Sequence, residues 1–357
     1  VSRRRVTLAD VARTAAVSST TASLVLSGRG DELRISQAVQ DRVRAAAAEL
    51  GYRPNAVSIG LRKGTTRTLG LVSDTVATSP MAGDMIKGAI EAARDHGYML
   101  FIGETEGDPA TESALIDAMQ DRQVDGIALT SMFTRTRTVP AALELTPTVL
   151  LNTLADGPTR APAVIPDELE AGRGAARLLL EHGHREVHLI GAGPLPEHMP
   201  PDTVAGVERL AGMREVLAEA GLTPASGRVC DAWVPAHGFT AMQELLAAPG
   251  PAPRAVVCFN DYLAFGVYQA LGEAGLRVPD DVSVVSFDSY PIAEWVRPGL
   301  TTFEIPHEQL GRRAVELLLH EIRTPRGSEP AGPGPVHRIP MPLRVRGSVA
   351  RAPGTGD

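Results

Sequence analysis

Cysteine is nearly missing from this 357-residue sequence: Cys230 and Cys258 are the only two, both in apolar runs, with no CxxC spacing and no partner histidine at metal spacing. That excludes a disulfide-built scaffold and a zinc knuckle, and reads as two buried, reduced thiols. No apolar stretch approaches the ~20 residues a membrane helix needs. HExxH, the P-loop and the GxSxG elbow are also missing. GAGP at 191–194 starts like a phosphate loop, but Pro196 stands where a third glycine belongs. His182 and His184 flank Gly183 at a helix end, where the helix dipole accounts for them better than a metal does. No catalysis, no metal and no cofactor are expected.

Acidic residues exceed basic ones, for a formal net charge of −7, which taken alone argues against a nucleic-acid partner. The average hides an asymmetry. Residues 1–67 hold twelve Lys or Arg against five Asp or Glu, so this segment carries +7 and the remainder −14. A basic head on an acidic body suits a DNA-binding segment joined to something that should not adhere to phosphate. The length exceeds what one compact core encloses, so two or three domains are expected. Arg3, Arg4 and Arg5 are followed by Asp10 and Arg13, which interrupt any apolar core of a secretory leader, and cytoplasmic residence is expected.

The head itself, VTLADVARTAAVSSTTASLVL at 6–26, carries two short amphipathic helix patterns. Thr7 and Asp10 have capping-box spacing, and Leu8, Val11, Ala12 and Ala15 share one face. Ala16 and Val17 form a turn, Ser18 caps the next helix, and Ala22, Val25 and Leu26 point inward. Ser19, Thr20, Thr21, Ser23 and Leu24 are left outward, a hydroxyl-rich face suited to a DNA groove. A third helix over 37–50 places Val39, Val43, Ala46, Ala47 and Leu50 inward, with Gly51 as its left-handed C-terminal cap.

After Gly64 the pattern changes to alternating strands and helices. Apolar runs at 69–72, 99–102, 126–129, 148–151, 187–190, 255–259 and 282–287 read as buried strands. Amphipathic helices are predicted at 81–95, 111–121, 168–181, 205–220, 239–247, 262–274 and 307–322. This alternation implies doubly wound parallel sheets, too many strands for one sheet and economical as two lobes. Crossings between lobes are expected at 155–167, 297–301 and 324–335. Polar residues just past strand ends face the crevice where ligands of such sheets bind; Asp74, Asn152, Asn260 and Asp288 hold these positions. Met81 and Phe133 are further candidates for its wall.

VTLADVARTAAVS, RISQAVQDRVRAAAAELGYRPNAV, VDGIAL, HREVHLIGAGP, ERLAGMREVL, FNDYLAFGVYQALGEAGLRVPDDVSVVSFD and RPGLTTFEIPHEQLGRRAVELLL together closely resemble the lactose-repressor/galactose-repressor family of bacterial transcription regulators. The resemblance implies a helix-turn-helix headpiece over 1–53, a hinge helix and linker over 54–66, and a two-lobed α/β body over 67–350 similar to type I periplasmic sugar-binding proteins. A flexible tail would occupy 351–357. The first lobe would hold 67–166 and 299–324, the second 167–297 and 333–350. It further implies a homodimer on a near-palindromic double-stranded operator, with a small molecule between the lobes altering DNA affinity. No heptad tail follows Arg346, so a dimer is expected rather than a tail-linked tetramer.

By position in the motif, Ser19, Thr20 and Leu24 would meet base edges, Thr21 and Ser23 would hold phosphate, Arg5 would supply charge, and Thr7 belongs to the same DNA-binding set. Asn55 and Leu61 belong to the hinge, with Leu61 as a minor-groove wedge. Ile59 and Gly60 depart from the usual hinge, as does the longer, more acidic connection GRGDELRIS at 28–36. In the cleft the resemblance assigns Arg209, Trp233, Asn260 and Asp288 to the effector. Arg209, Asp288 and Asn260 can pair adjacent hydroxyls and Trp233 can face a pyranose, so a sugar is expected and its target is a repressor of carbohydrate uptake or breakdown genes. The alternatives are a purine-type regulator using its ligand as corepressor and, from a different class, a soluble sugar-binding receptor, which leaves the basic head unexplained.

Overall fold

The computed structural model describes residues 6–52, 64–79, 82–199, 203–324 and 334–353. The chain divides into two compact units, Val1–Arg67 and Thr68–Asp357.

The first unit is built of α1 (Leu8–Thr14), α2 (Ser19–Leu26) and α3 (Gln37–Glu49). Their shared core is Val11, Ala12, Ala15, Ala22, Val25, Val43, Ala46 and Ala47. The capping box forms as its spacing predicts: Thr7 N donates to Asp10 Oδ2 at 3.0 Å and Asp10 N to Thr7 Oγ1 at 3.3 Å. Ala16 turns the chain at φ 52°, and Ser18 Oγ accepts from Thr21 N at 3.0 Å to start α2. One inward position differs from expectation. Gln40, not Val39, is fully buried in α3, because its amide donates to Asp31 Oδ1 at 2.7 Å and to the Ile35 carbonyl at 2.9 Å. The long, acidic connection before α3 is therefore fastened to that helix through Asp31.

The second unit holds two six-stranded sheets. In the first, β1 (Thr68–Ser73), β2 (Met99–Glu104), β3 (Gly126–Arg137), β4 (Thr148–Ala155), β5 (Ala163–Pro166) and β11 (Val336–Ile339) run in the order β11-β5-β4-β3-β1-β2, all pairs parallel. In the second, β6 (His188–Gly191), β7 (Ser226–Val229), β8 (Ala255–Cys258), β9 (Ser283–Asp288), β10 (Thr301–Glu304) and β12 (Leu343–Arg344) run β12-β10-β9-β8-β6-β7, with β12 alone antiparallel. Helices α4 (Gly83–Asp95), α5 (Pro109–Asp121) and α11 (His307–Arg323) cover the first sheet. The second carries α6 (Glu168–Glu181), α7 (Val204–Glu219), α8 (Pro235–Ala247), α9 (Asp261–Glu273) and the single turn α10 (Ile292–Trp295).

Two of the expected crossings move. Residues 301–304, assigned from sequence to the first lobe, form β10 and pair with β9 in the second sheet. Residues 336–339, assigned to the second lobe, form β11 and pair with β5 in the first. The chain thus changes lobes after Pro166, at 305–306 and at 340–342. Neither four-residue run is among the strands expected from sequence; pairing makes each of them a strand, and the partner decides its lobe.

Candidate effector cleft and DNA-facing helix

A cavity of about 470 Å³ opens where both sheets end, with Met132, Phe133, Thr134, Asn152 and His307 on the first lobe facing Glu168, Arg209, Trp233, Tyr262, Asp288 and Tyr290 on the second. Its floor is Arg209, on α7 and only 2% exposed. Nε donates to Glu168 Oε2 at 2.6 Å, Nη2 to Glu168 Oε1 and to Asp288 Oδ1 at 3.0 Å each, and Nη1 to the Phe259 carbonyl at 2.5 Å. The guanidinium carbon lies 4.6 Å above the Phe287 ring centroid. Burial opposes the charge on Arg209, but the two carboxylates outweigh it and hold the group protonated. Helix packing sets this geometry. A Cβ on Gly172 of α6 would stand 2.2 Å from the Arg209 carbonyl oxygen, so only glycine lets α7 lie this close to the helix that carries Glu168.

Asp288 ends β9 with φ 103°, a left-handed conformation costly for a residue with a side chain. Burial pushes its carboxyl up to about 6, against the pull of Arg209. Trp233 is held by Nε1 donating to the Gly191 carbonyl at 3.2 Å and by an edge contact with Phe259, centroids 5.7 Å apart. Asn260 caps α9: its Oδ1 accepts from Leu263 N at 2.8 Å, and its Nδ2 donates to the Trp233 carbonyl at 3.0 Å. Asn260 therefore lines the cavity while fixing the loop that presents the indole.

Asn152 also lines the cavity, at φ 54°, with Oδ1 accepting from Thr134 Oγ1 at 2.5 Å and Nδ2 donating to the Met132 carbonyl at 2.8 Å. These bonds support the β3 extension past an irregularity between Thr130 and Arg135. Asp74 stands apart. It lines a separate cavity of about 490 Å³ with Thr105, Asp108, Phe133, Arg135 and Arg137, where Oδ1 accepts from Met132 N at 2.9 Å and Oδ2 pairs with Arg135 at 3.0 Å. Met81 lies outside the described residues.

Glu168, Tyr262, Tyr290 and His307 were not singled out from sequence. Glu168 opens a helix after a short apolar run, where a carboxylate ordinarily signals dipole compensation, and nothing local distinguishes a first-turn acid from an arginine's partner 41 residues away. The tyrosines stand two residues beyond Asn260 and Asp288, His307 follows no assigned position, and none of the three shows a periodic signal.

In the first unit Thr7, Ser19 and Thr20 are exposed, and Thr21, Ser23 and Leu24 are half-buried on the face of α2 away from the core. Thr21 Oγ1 and Ser18 Oγ lie 2.8 Å apart, so that hydroxyl takes part in the cap. Arg5, Asn55 and Leu61 lie outside the described residues.

Residues 7–55 match bacterial regulatory proteins of the lacI family, and residues 176–349 match the periplasmic binding protein-like domain. The chain is 33% identical to the ribose operon repressor of Escherichia coli (strain K12), covering 89% of this chain and 94% of that protein. It is 32% identical to the HTH-type transcriptional repressor PurR of Vibrio atlanticus (strain LGP32), over 89% and 92%. Among solved structures, the Lac repressor bound to ONPG in the repressed state superposes with a TM-score of 0.77 at 25% identity, covering 97% of this chain and 100% of that one. With both its units matched and likeness of this degree running along most of its length, the chain belongs to the lacI family of bacterial regulatory proteins.

Proposed function

We propose that the protein is a homodimeric transcriptional repressor of carbohydrate genes, working in the cytoplasm, whose grip on a double-stranded operator changes when an uncharged sugar occupies the cavity between the lobes. The observation that carries this reading is the Glu168–Arg209–Asp288 network beneath an aromatic wall. The four hydrogen bonds of Arg209 to protein acceptors leave it little capacity for an anion, and Asp231 and Asp288 add negative charge to the lining. Such a site accepts the hydroxyls of a neutral ligand and repels phosphates and carboxylates. In this reading Arg209, Trp233, Asn260 and Asp288 form the effector site and Asn152 supports it.

The head, residues 1–53, reads bases through Ser19, Thr20 and Leu24, and Thr7, Thr21 and Ser23 hold phosphate. Arg5, Asn55 and Leu61 complete the contact set, the last two in a hinge over 54–66. Dimerisation is assigned to the free edge of the first sheet, where β2 exposes Met99 (61%), Phe101 (38%) and Ile102 (39%) beside Ile90 of α4. An apolar edge strand of this kind calls for a cover. Likeness to PurR supports a second reading, in which a purine acts as corepressor. A gel shift on a palindromic site near the protein's own gene, repeated with neutral sugars, sugar phosphates and a panel of purine bases, tests both readings. Neutral sugars should release the operator and the other two should not; release by a sugar phosphate would overturn the electrostatic argument, and tightening by a purine base would establish the second reading.

A further inference from the structure

His307 is the first residue of α11, immediately after the chain returns to the first lobe at Ile305 and Pro306. Its helix is locked to α4, since a Cβ on Gly311 would stand 1.9 Å from the Met85 carbonyl oxygen and one on Gly88 2.0 Å from that of Glu308. The ring therefore moves with the first lobe. It lines both the interlobe cavity and an adjoining cavity of about 750 Å³, which share Tyr262, Asp288, Tyr290 and Ile305. Both ring nitrogens are buried and neither has a hydrogen-bond partner, a condition native proteins seldom keep without a use.

The other polar side chains that the first lobe gives the cavity, Thr134 and Asn152, bond to each other and to the Met132 carbonyl. Among the described residues His307 is the one polar side chain on that wall whose hydrogen-bonding capacity is wholly unspent. Burial pushes its pKa down to about 4, although Asp84 and Glu304 pull it upward. The ring is thus neutral at pH 7, with one nitrogen donating and the other accepting, which matches a hydroxyl and brings no positive charge to an anion.

Resting on the reading of the cavity as the effector site, we propose that His307 is the first lobe's hydrogen-bonding contact to the sugar, gripping a hydroxyl of a ligand that Asp288 and Arg209 hold from the second lobe. Occupancy then ties the two lobes together through the ligand itself. A small rotation of the ring presents a nitrogen to the cavity, and the selectivity of the site among sugars depends on whether a hydroxyl stands at that point.

The test uses the full-length protein and a panel of D-ribose, D-glucose, D-galactose and cellobiose, taking as probe whichever sugar most raises the wild-type melting temperature. Titrations compare wild type, His307→Leu, His307→Asn and Asp288→Asn. His307→Leu should raise the melting temperature without sugar, because it removes two unpaired polar atoms, and should weaken the probe's Kd at least tenfold. His307→Asn should recover most of that affinity, and it carries the test alone if the leucine variant does not fold. An unchanged Kd in both His307 variants, with binding lost in Asp288→Asn, would overturn this assignment and leave the cleft reading standing. An unchanged Kd in Asp288→Asn as well, or no wild-type response to any sugar, would overturn both.

Discussion

At the scale of single residues, the second lobe concentrates its cost around Arg209. Removing that side chain leaves Glu168 and Asp288 buried without a counter-charge, and breaking a buried pair in this way costs about 3–5 kcal/mol. Arg209→Met should lower the urea midpoint accordingly. Asp261, fully buried at the start of α9, accepts from Tyr290 N and Thr302 Oγ1, yet burial and the neighbouring Asp288 push its carboxyl up to about 7. The folded state then holds a proton that an unfolded aspartate releases near pH 4. That stability is fully present below the unfolded value and is lost as pH rises toward 7, with a slope approaching about 1.4 kcal/mol per pH unit. Asp261→Asn, titrated by urea unfolding from pH 4.5 to 8, should show a flatter profile than wild type. Burial also pushes the Cys230 thiol up to about 11 and raises Cys258. Both should resist a thiol reagent at pH 8 until the protein is unfolded, as two lone cysteines in apolar runs imply.

At the scale of elements, helices pair through glycines seated on a neighbour's carbonyl. Gly88 and Gly311 join α4 to α11, Gly172 and Gly212 join α6 to α7, and Gly238 and Gly266 join α8 to α9. Gly311→Ala should destabilise by about 1–3 kcal/mol through overpacking, read as a lowered melting temperature. How much of this was legible depends on what shapes each element. Glu168–Glu181 follows its own amphipathic period and is found at the predicted ends. The strand GIAL was read correctly but cut short, because the polar continuation TSMFTRTR looks like loop and becomes β3 only through the Asn152 and Asp74 side chains that hold it. Short edge strands β7, β11 and β12 escaped notice, since pairing rather than composition creates them. The cleft was legible where a polar residue ends a strand, as at Asp288, and illegible where the partner comes from far along the chain, as with Glu168 and His307.

For the whole molecule, the basic first unit and acidic remainder predict that operator affinity falls steeply with salt, as phosphate contacts release counterions; a flat profile between 50 and 200 mM salt would speak against the assignment of the head. Sugar and operator, bound by different units, should weaken one another by the same factor, typically about 5- to 150-fold, which fluorescence titration of sugar with and without operator would measure. Leu61→Ala should loosen the operator and leave sugar affinity unchanged.

The order in which the lobes are completed has a consequence during synthesis. Leu310, Ala314, Val315, Leu317, Leu318 and Leu319 of α11 fill the core on one side of the first sheet, so the opening strands of that lobe leave the ribosome long before the helix that shelters them. A nascent polypeptide stopped near residue 300 would carry a largely assembled second lobe beside a first lobe with one oily flank bare. Truncated products of that length should be held by chaperones or precipitate, and their rescue by a separately supplied 301–357 fragment would measure how much of that lobe waits for α11.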